Sequence, residues 1–122
     1  MRPVTYALNL YRDADYRRTV RLLDKDGEPI STVGARSRLQ VRCDPDDPVV
    51  LLDASDDNGL LSTAADGAIN IRFTAAVTGA LQFDEAVYDL KLTWADGGVD
   101  PVLKGPVRVE PSVTRPDEVP AP

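Results

Sequence analysis

The stretch Ala86-Val-Tyr-Asp-Leu-Lys-Leu-Thr-Trp94, Ala95-Asp-Gly-Gly98, Val99-Asp-Pro-Val-Leu-Lys-Gly-Pro-Val-Arg-Val109 decides the fold. In its first arm Tyr88, Leu90, Leu92 and Trp94 fall on one face, and Asp89, Lys91 and Thr93 fall on the other. That period of two marks a strand with one wet face. Asp96-Gly97-Gly98 offers residues that tolerate positive φ in a tight reversal, so the two arms are expected to pair as a hairpin. In the second arm Val99, Leu103, Val107 and Val109 share a face, with Lys104 and Arg108 opposite.

The same alternation extends outward in both directions. Val4 to Tyr11 carries Val4, Tyr6, Leu8 and Leu10 on one side. Tyr16 to Leu23 sets Tyr16, Val20 and Leu22 against Arg17, Thr19 and Arg21. Asp24-Lys25-Asp26-Gly27 reads as a turn, and Pro29 confines the return that follows to an edge or a bulge. Ala35 to Cys43 alternates most cleanly: Ala35, Ser37, Leu39, Val41 and Cys43 point one way, and Arg36, Arg38, Gln40 and Arg42 point the other. Asp44-Pro45-Asp46-Asp47-Pro48 ends that strand, because proline cannot donate to a ladder. Val49 to Leu52 is a short apolar run that fits a strand buried on both faces or an edge strand packed on a neighbour.

Asp56 to Gly59 turns the chain again, and Leu60 to Thr63 and Ala68 to Phe73 flank another hairpin signal, Ala65-Asp66-Gly67. Thr74 to Leu81 breaks the pattern: alanine-rich, with Thr74 as N-cap, it predicts one short helix joining one sheet to the other. About seven to nine short strands with regular turn signals and no long helical period exclude a βαβ sheet. The expectation is an all-β protein, an antiparallel Ig-like β-sandwich with one short helix. Residues 1–111 form its single domain, and the Pro-rich C-terminal tail 112–122 is expected to be extended or disordered.

A chain of 122 residues, 43% hydrophobic and 28% charged, is ordinary for one globular domain. A formal net charge of −6 argues against nucleic acid as a partner. No apolar run reaches the length of a membrane span, and Met1-Arg2-Pro3 does not resemble the start of a signal peptide, so synthesis in a cytoplasm is expected. The lone Cys43 sits at an apolar position of its strand and reads as a small buried hydrophobe.

The absence of histidine removes the Ser-His-Asp, Cys-His and His-ligated metal constellations. Carboxylates cluster at Asp24/Asp26, Asp44/Asp46/Asp47 and Asp53/Asp56/Asp57. Calcium at Asp53 to Asn58 is conceivable, but aspartate is itself a turn residue, and turn chemistry is the simpler reading. No carboxylate pair is set in an apolar environment that would suit glycoside hydrolysis. Tyr88 and Trp94 could form a sugar platform, yet they share an apolar face and read as core. No catalytic, cofactor or metal residue is expected. The basic row Arg36, Arg38 and Arg42 reads as a solvated face paired with acids on a neighbouring strand, or as a protein interface.

The order of these pieces carries a resemblance. Leu8 to Asp24, Asp26 to Ile30, Gly34 to Arg42, Ala65 to Ile71 and Val87 to Leu92, in that sequence, resemble the small tailed-bacteriophage proteins related to the N-terminal domain of phage baseplate upper proteins. The likeness covers about residues 5–110. It implies an Ig-like sandwich that serves as a non-enzymatic part of a virion, in the tail or baseplate, docking to other virion proteins as a homo-oligomer or ring. Capsid decoration, a head–tail component and a carbohydrate-binding module are the alternatives. The larger baseplate proteins continue into further modules, whereas this chain is read as one domain. In that setting Arg36, Arg38, Arg42, Pro111, Arg115 and Pro116 are the expected interface.

Overall fold

The computed structural model describes residues 2–114. Two sheets enclose one core. The larger contains β1 (Val4–Thr5), β2 (Leu8–Tyr11), β4 (Arg36–Arg42), β5 (Leu52–Ser55), β8 (Glu85–Thr93) and β9 (Val99–Glu110). Its order is β1-β9-β8-β4-β5, with β2 also on β9. The smaller sheet is β3 (Tyr16–Arg21), β7 (Ala68–Phe73) and β6 (Leu61–Thr63), in the order β3-β7-β6. Leu8, Leu10, Leu39, Val41, Leu90 and Leu92 from the first sheet meet Leu61, Ile69, Ile71 and Phe73 from the second in one buried cluster. The fold is an Ig-like β-sandwich with one short helix, α1 (Ala75–Gly79), bridging β7 to β8 across the sheets.

The β8–β9 hairpin forms as its sequence dictates, with Gly97 at φ 92° in the reversal and Trp94 N–H donating to the Gly98 carbonyl at 2.7 Å. Its second arm departs from the simple alternation. Leu90 pairs with Leu103, but Lys91 pairs with Pro101, so Val102 is an extra residue in β9. A β-bulge of this kind reverses which residues face inward. After it Leu103, Val107 and Val109 are buried; before it the inward positions are Asp100 and Val102, and Val99, expected in the core, is exposed. Trp94, expected in the core, lies just past the strand, half-buried and packed against the core's edge, its Nε1–H donating to Asp100 Oδ2 at 2.7 Å.

The N-terminal strand also differs. Val4 to Tyr11 does not form one strand but β1 and β2, and both run parallel to β9, so the larger sheet is mixed rather than wholly antiparallel. Strands from the two chain ends can lie side by side in this sense because nearly the whole domain is the crossover between them. The register is unchanged across the gap, Val4 facing Leu103 and Leu8 facing Val107. The interruption falls opposite Gly105-Pro106, where proline offers no N–H to the ladder. Val4 and Tyr6 are exposed there, and only Leu8 and Leu10 enter the core.

Two further expectations shift. Cys43 is exposed, not buried, because β4 ends at Arg42 and the Asp44-Pro45 bend carries the chain away from the core. The strand expected at 49–52 starts at Leu52 instead; it is the edge strand β5, and Val49 and Val50 before it are exposed. Elsewhere the turns follow their residues. Asp24 Oδ1 accepts from the N–H groups of Asp26 and Glu28, and Gly27 takes φ 81°. Thr74 caps α1 by accepting the Val77 N–H. The last strand ends at Glu110.

Candidate functional site

The outer face of the larger sheet gathers Arg36, Arg38, Gln40 and Arg42 from β4, Val87, Asp89, Lys91 and Thr93 from β8, and Lys104, Pro106 and Arg108 from β9. Strand alternation places all of them on one side, since the intervening Leu39, Val41, Leu90 and Leu92 fill the core. The register sets Arg38 opposite Lys91, an unfavourable pairing of like charges. Arg38 instead turns to β5, its Nη2 2.6 Å from Asp53 Oδ2 and its Nε 3.1 Å from Asp53 Oδ1. This two-pronged pair holds the Asp53 carboxyl below the usual carboxylate range, against a smaller opposing effect of burial.

Gln40 joins the row into a network. Its Nε2 donates to Asp53 Oδ2 at 3.3 Å, and its Oε1 accepts from Arg42 Nη2 at 3.0 Å. Arg42 Nη1 also donates to the Asp47 carbonyl at 2.7 Å, and Arg36 pairs with Asp57. Each of the three arginines is therefore fixed by a neighbour: Arg38 by Asp53 on β5, Arg36 by Asp57 after it, and Arg42 by Gln40 and the β4–β5 loop. Between them and the next strands lies a shallow open depression of about 890 Å³, lined among others by Arg38, Gln40, Arg42, Val87, Lys91 and Pro106. Pro111 follows β9 and is exposed, outside this depression; Arg115 and Pro116 lie outside the described residues.

The carboxylates suggested for calcium have other roles. Asp53 and Asp57 hold arginines, and Asp56 Oδ1 accepts from the Ser37 and Thr63 hydroxyls at 3.0 Å each. Asn58 closes its own turn, accepting from the Ser55 and Leu60 N–H groups and donating to the Asp53 carbonyl. Asp44, Asp47, Asp66 and Asp96 each accept a backbone N–H two residues on. Tyr88 points into the core and donates its hydroxyl to the Tyr6 carbonyl at 2.6 Å, so it and Trp94 do not make an open aromatic platform.

Sequence reasoning missed a second arginine group. The outer face of the smaller sheet carries Arg17, Thr19 and Arg21 from β3 with Asn70 and Arg72 from β7, and the register places Arg17 opposite Arg72. A shallow concavity of about 470 Å³ lies there. The alternation of β3 already put Arg17, Thr19 and Arg21 on one face. Only the pairing register, which no local pattern encodes, brings Arg72 beside them.

No protein-family model and no curated protein matches the chain. Among solved structures it is similar to murine CRIg, at 15% identity over 85% of this chain and 92% of that chain, with a TM-score of 0.43.

Proposed function

We propose that this chain is a non-enzymatic docking module of a tailed-bacteriophage particle, resident in the tail or baseplate and assembled there as a homo-oligomer or ring with other virion proteins. The docking surface is the outer face of the larger sheet. One observation carries this reading: the depression on that face combines apolar groups, Val87 and Pro106, with arginines that are already held in place. Arginine with apolar side chains is the mixture enriched in protein interfaces, and fixed side chains lose less entropy on binding. The phage setting comes from the ordered sequence resemblance across about residues 5–110. A Val87→Glu, Pro106→Glu variant should fold normally yet be missing from purified particles. Full incorporation of that variant would contradict the assignment of this face.

A further inference from the structure

The smaller sheet's outer face holds guanidinium groups that the fold itself does not use. Arg17, Arg21 and Arg72 are all exposed, and Arg21 and Arg72 have no ion pair among the described residues. Arg17 has only a loose contact with Asp15, at 3.6 Å. Between them, Thr19 donates its hydroxyl to Asn70 Oδ1 at 2.8 Å. Arg18 is stacked over the Tyr16 ring at 5.0 Å, bonded to the Tyr6 hydroxyl, and donates its Nη1–H to the Arg17 carbonyl at 2.8 Å. The concavity on this face is lined by Arg17, Arg18, Thr19, Asn70, Ile71 and Arg72, with Arg21 beside it on β3.

Arginines on an edge strand have a protective use, since they discourage pairing with stray strands. That accounts for Arg17 and Arg21 on β3, but not for Arg72. Arg72 lies on β7, the middle strand, directly opposite Arg17, where two like charges destabilise the sheet. The edge is accessible from Thr19 onward: β3 pairs as a strand with β7 alone, because β1 and β2 are both taken by β9, while the Arg17 carbonyl is occupied by the Arg18 side chain.

We propose that β3 takes an extended acidic segment of a partner protein, added as a strand along its outer edge, with alternate carboxylates reaching Arg17, Arg21 and Arg72. Strand addition supplies backbone hydrogen bonds, and side chains at every second position meet one face. Charge decides between partners. The chain as a whole carries −6, which repels a long polyanion such as nucleic acid, whereas a short acidic peptide feels chiefly the local arginines within a Debye length. This site is independent of the larger sheet's face and of the phage reading.

The test is fluorescence anisotropy of a dye-labelled peptide of alternating glutamate and threonine, at low salt. The expected result is saturable binding that is lost with the glutamine version and weakened by added salt. Arg17→Thr and Arg72→Thr should each weaken it about three- to fivefold, and the double variant about tenfold or more. Arg108→Thr, an equal loss of charge on the other sheet, should leave it unchanged. The Arg72→Thr melting temperature should equal or exceed that of the parent, which separates lost binding from lost folding. Absent saturable binding, an equal loss in Arg108→Thr, or equally tight binding of a short oligothymidylate would overturn the proposal. So would concentration-dependent self-association abolished by Arg72→Thr, which would make the occupant a second copy of the chain.

Discussion

Gly105 sits where β9 passes the backbone of Tyr6. A Cβ there would lie 2.5 Å from the Tyr6 carbonyl oxygen, 3.0 Å from its carbon and 3.3 Å from the Tyr6 nitrogen, all of them backbone atoms. Gly105→Ala should therefore cost about 2–3 kcal/mol in a urea titration, since two strands must separate to admit one methyl. Arg12 works differently, donating Nε–H to the Leu81 carbonyl at 2.9 Å and Nη2–H to the Phe83 carbonyl at 3.1 Å. It ties the β2–β3 corner to the segment between α1 and β8, and Arg12→Ala should cost about 2 kcal/mol. Burial is the largest cause that raises the phenol pKa of both Tyr16, pushed up to about 12, and Tyr88. Their unfolded value is about 10. The folded state thus holds these protons more tightly, and the stability they contribute is complete below pH 10 and lost as pH rises through the folded values. The denaturation midpoint should fall above about pH 10, and less steeply in Tyr88→Phe.

At the scale of elements, β9 shows what sequence can and cannot convey. Val99, Leu103, Val107 and Val109 share odd positions, so alternation alone places all four in the core. A bulge leaves no local signature when both residues at it are apolar, as Val102 and Leu103 are. Pro101 was the available clue, because proline within a sheet marks an edge or a bulge; it stands where β1 has not yet begun to pair. Val102→Ala should cost about 2 kcal/mol, while Val99→Ala should stay within about 0.5 kcal/mol, both read from denaturant midpoints. The helix was legible because Thr74 and the alanines after it act locally, and Thr74→Ala should cost about 1 kcal/mol. The parallel pairing of β1 and β2 was not legible, since it joins residues from opposite ends of the chain.

For the molecule as a whole, the sandwich was readable because hairpin turns and alternation are local, and together they permit few architectures. The functional faces were only half readable. The arginines of β4 were visible as a row, and the acid on a neighbouring strand was anticipated, but the exchange of Asp53 between Arg38 and Gln40 depends on the β4–β5 register. The small sheet's arginines were scattered through the sequence until β3 met β7. What unites the molecule is two open sheet faces over a core whose polar groups, Thr32, Ser37 and Thr78, are hydrogen-bonded internally. On the proposed reading, a docking module of a symmetric particle, the chain would associate first with its own copies. The most direct test is the solution mass of the purified chain, by size-exclusion chromatography with light scattering, beside that of Val87→Glu. Docking through the larger sheet's outer face should give a discrete closed oligomer that Val87→Glu dissociates into folded monomers. A strict monomer at every concentration, or an oligomer indifferent to Val87→Glu, would contradict it.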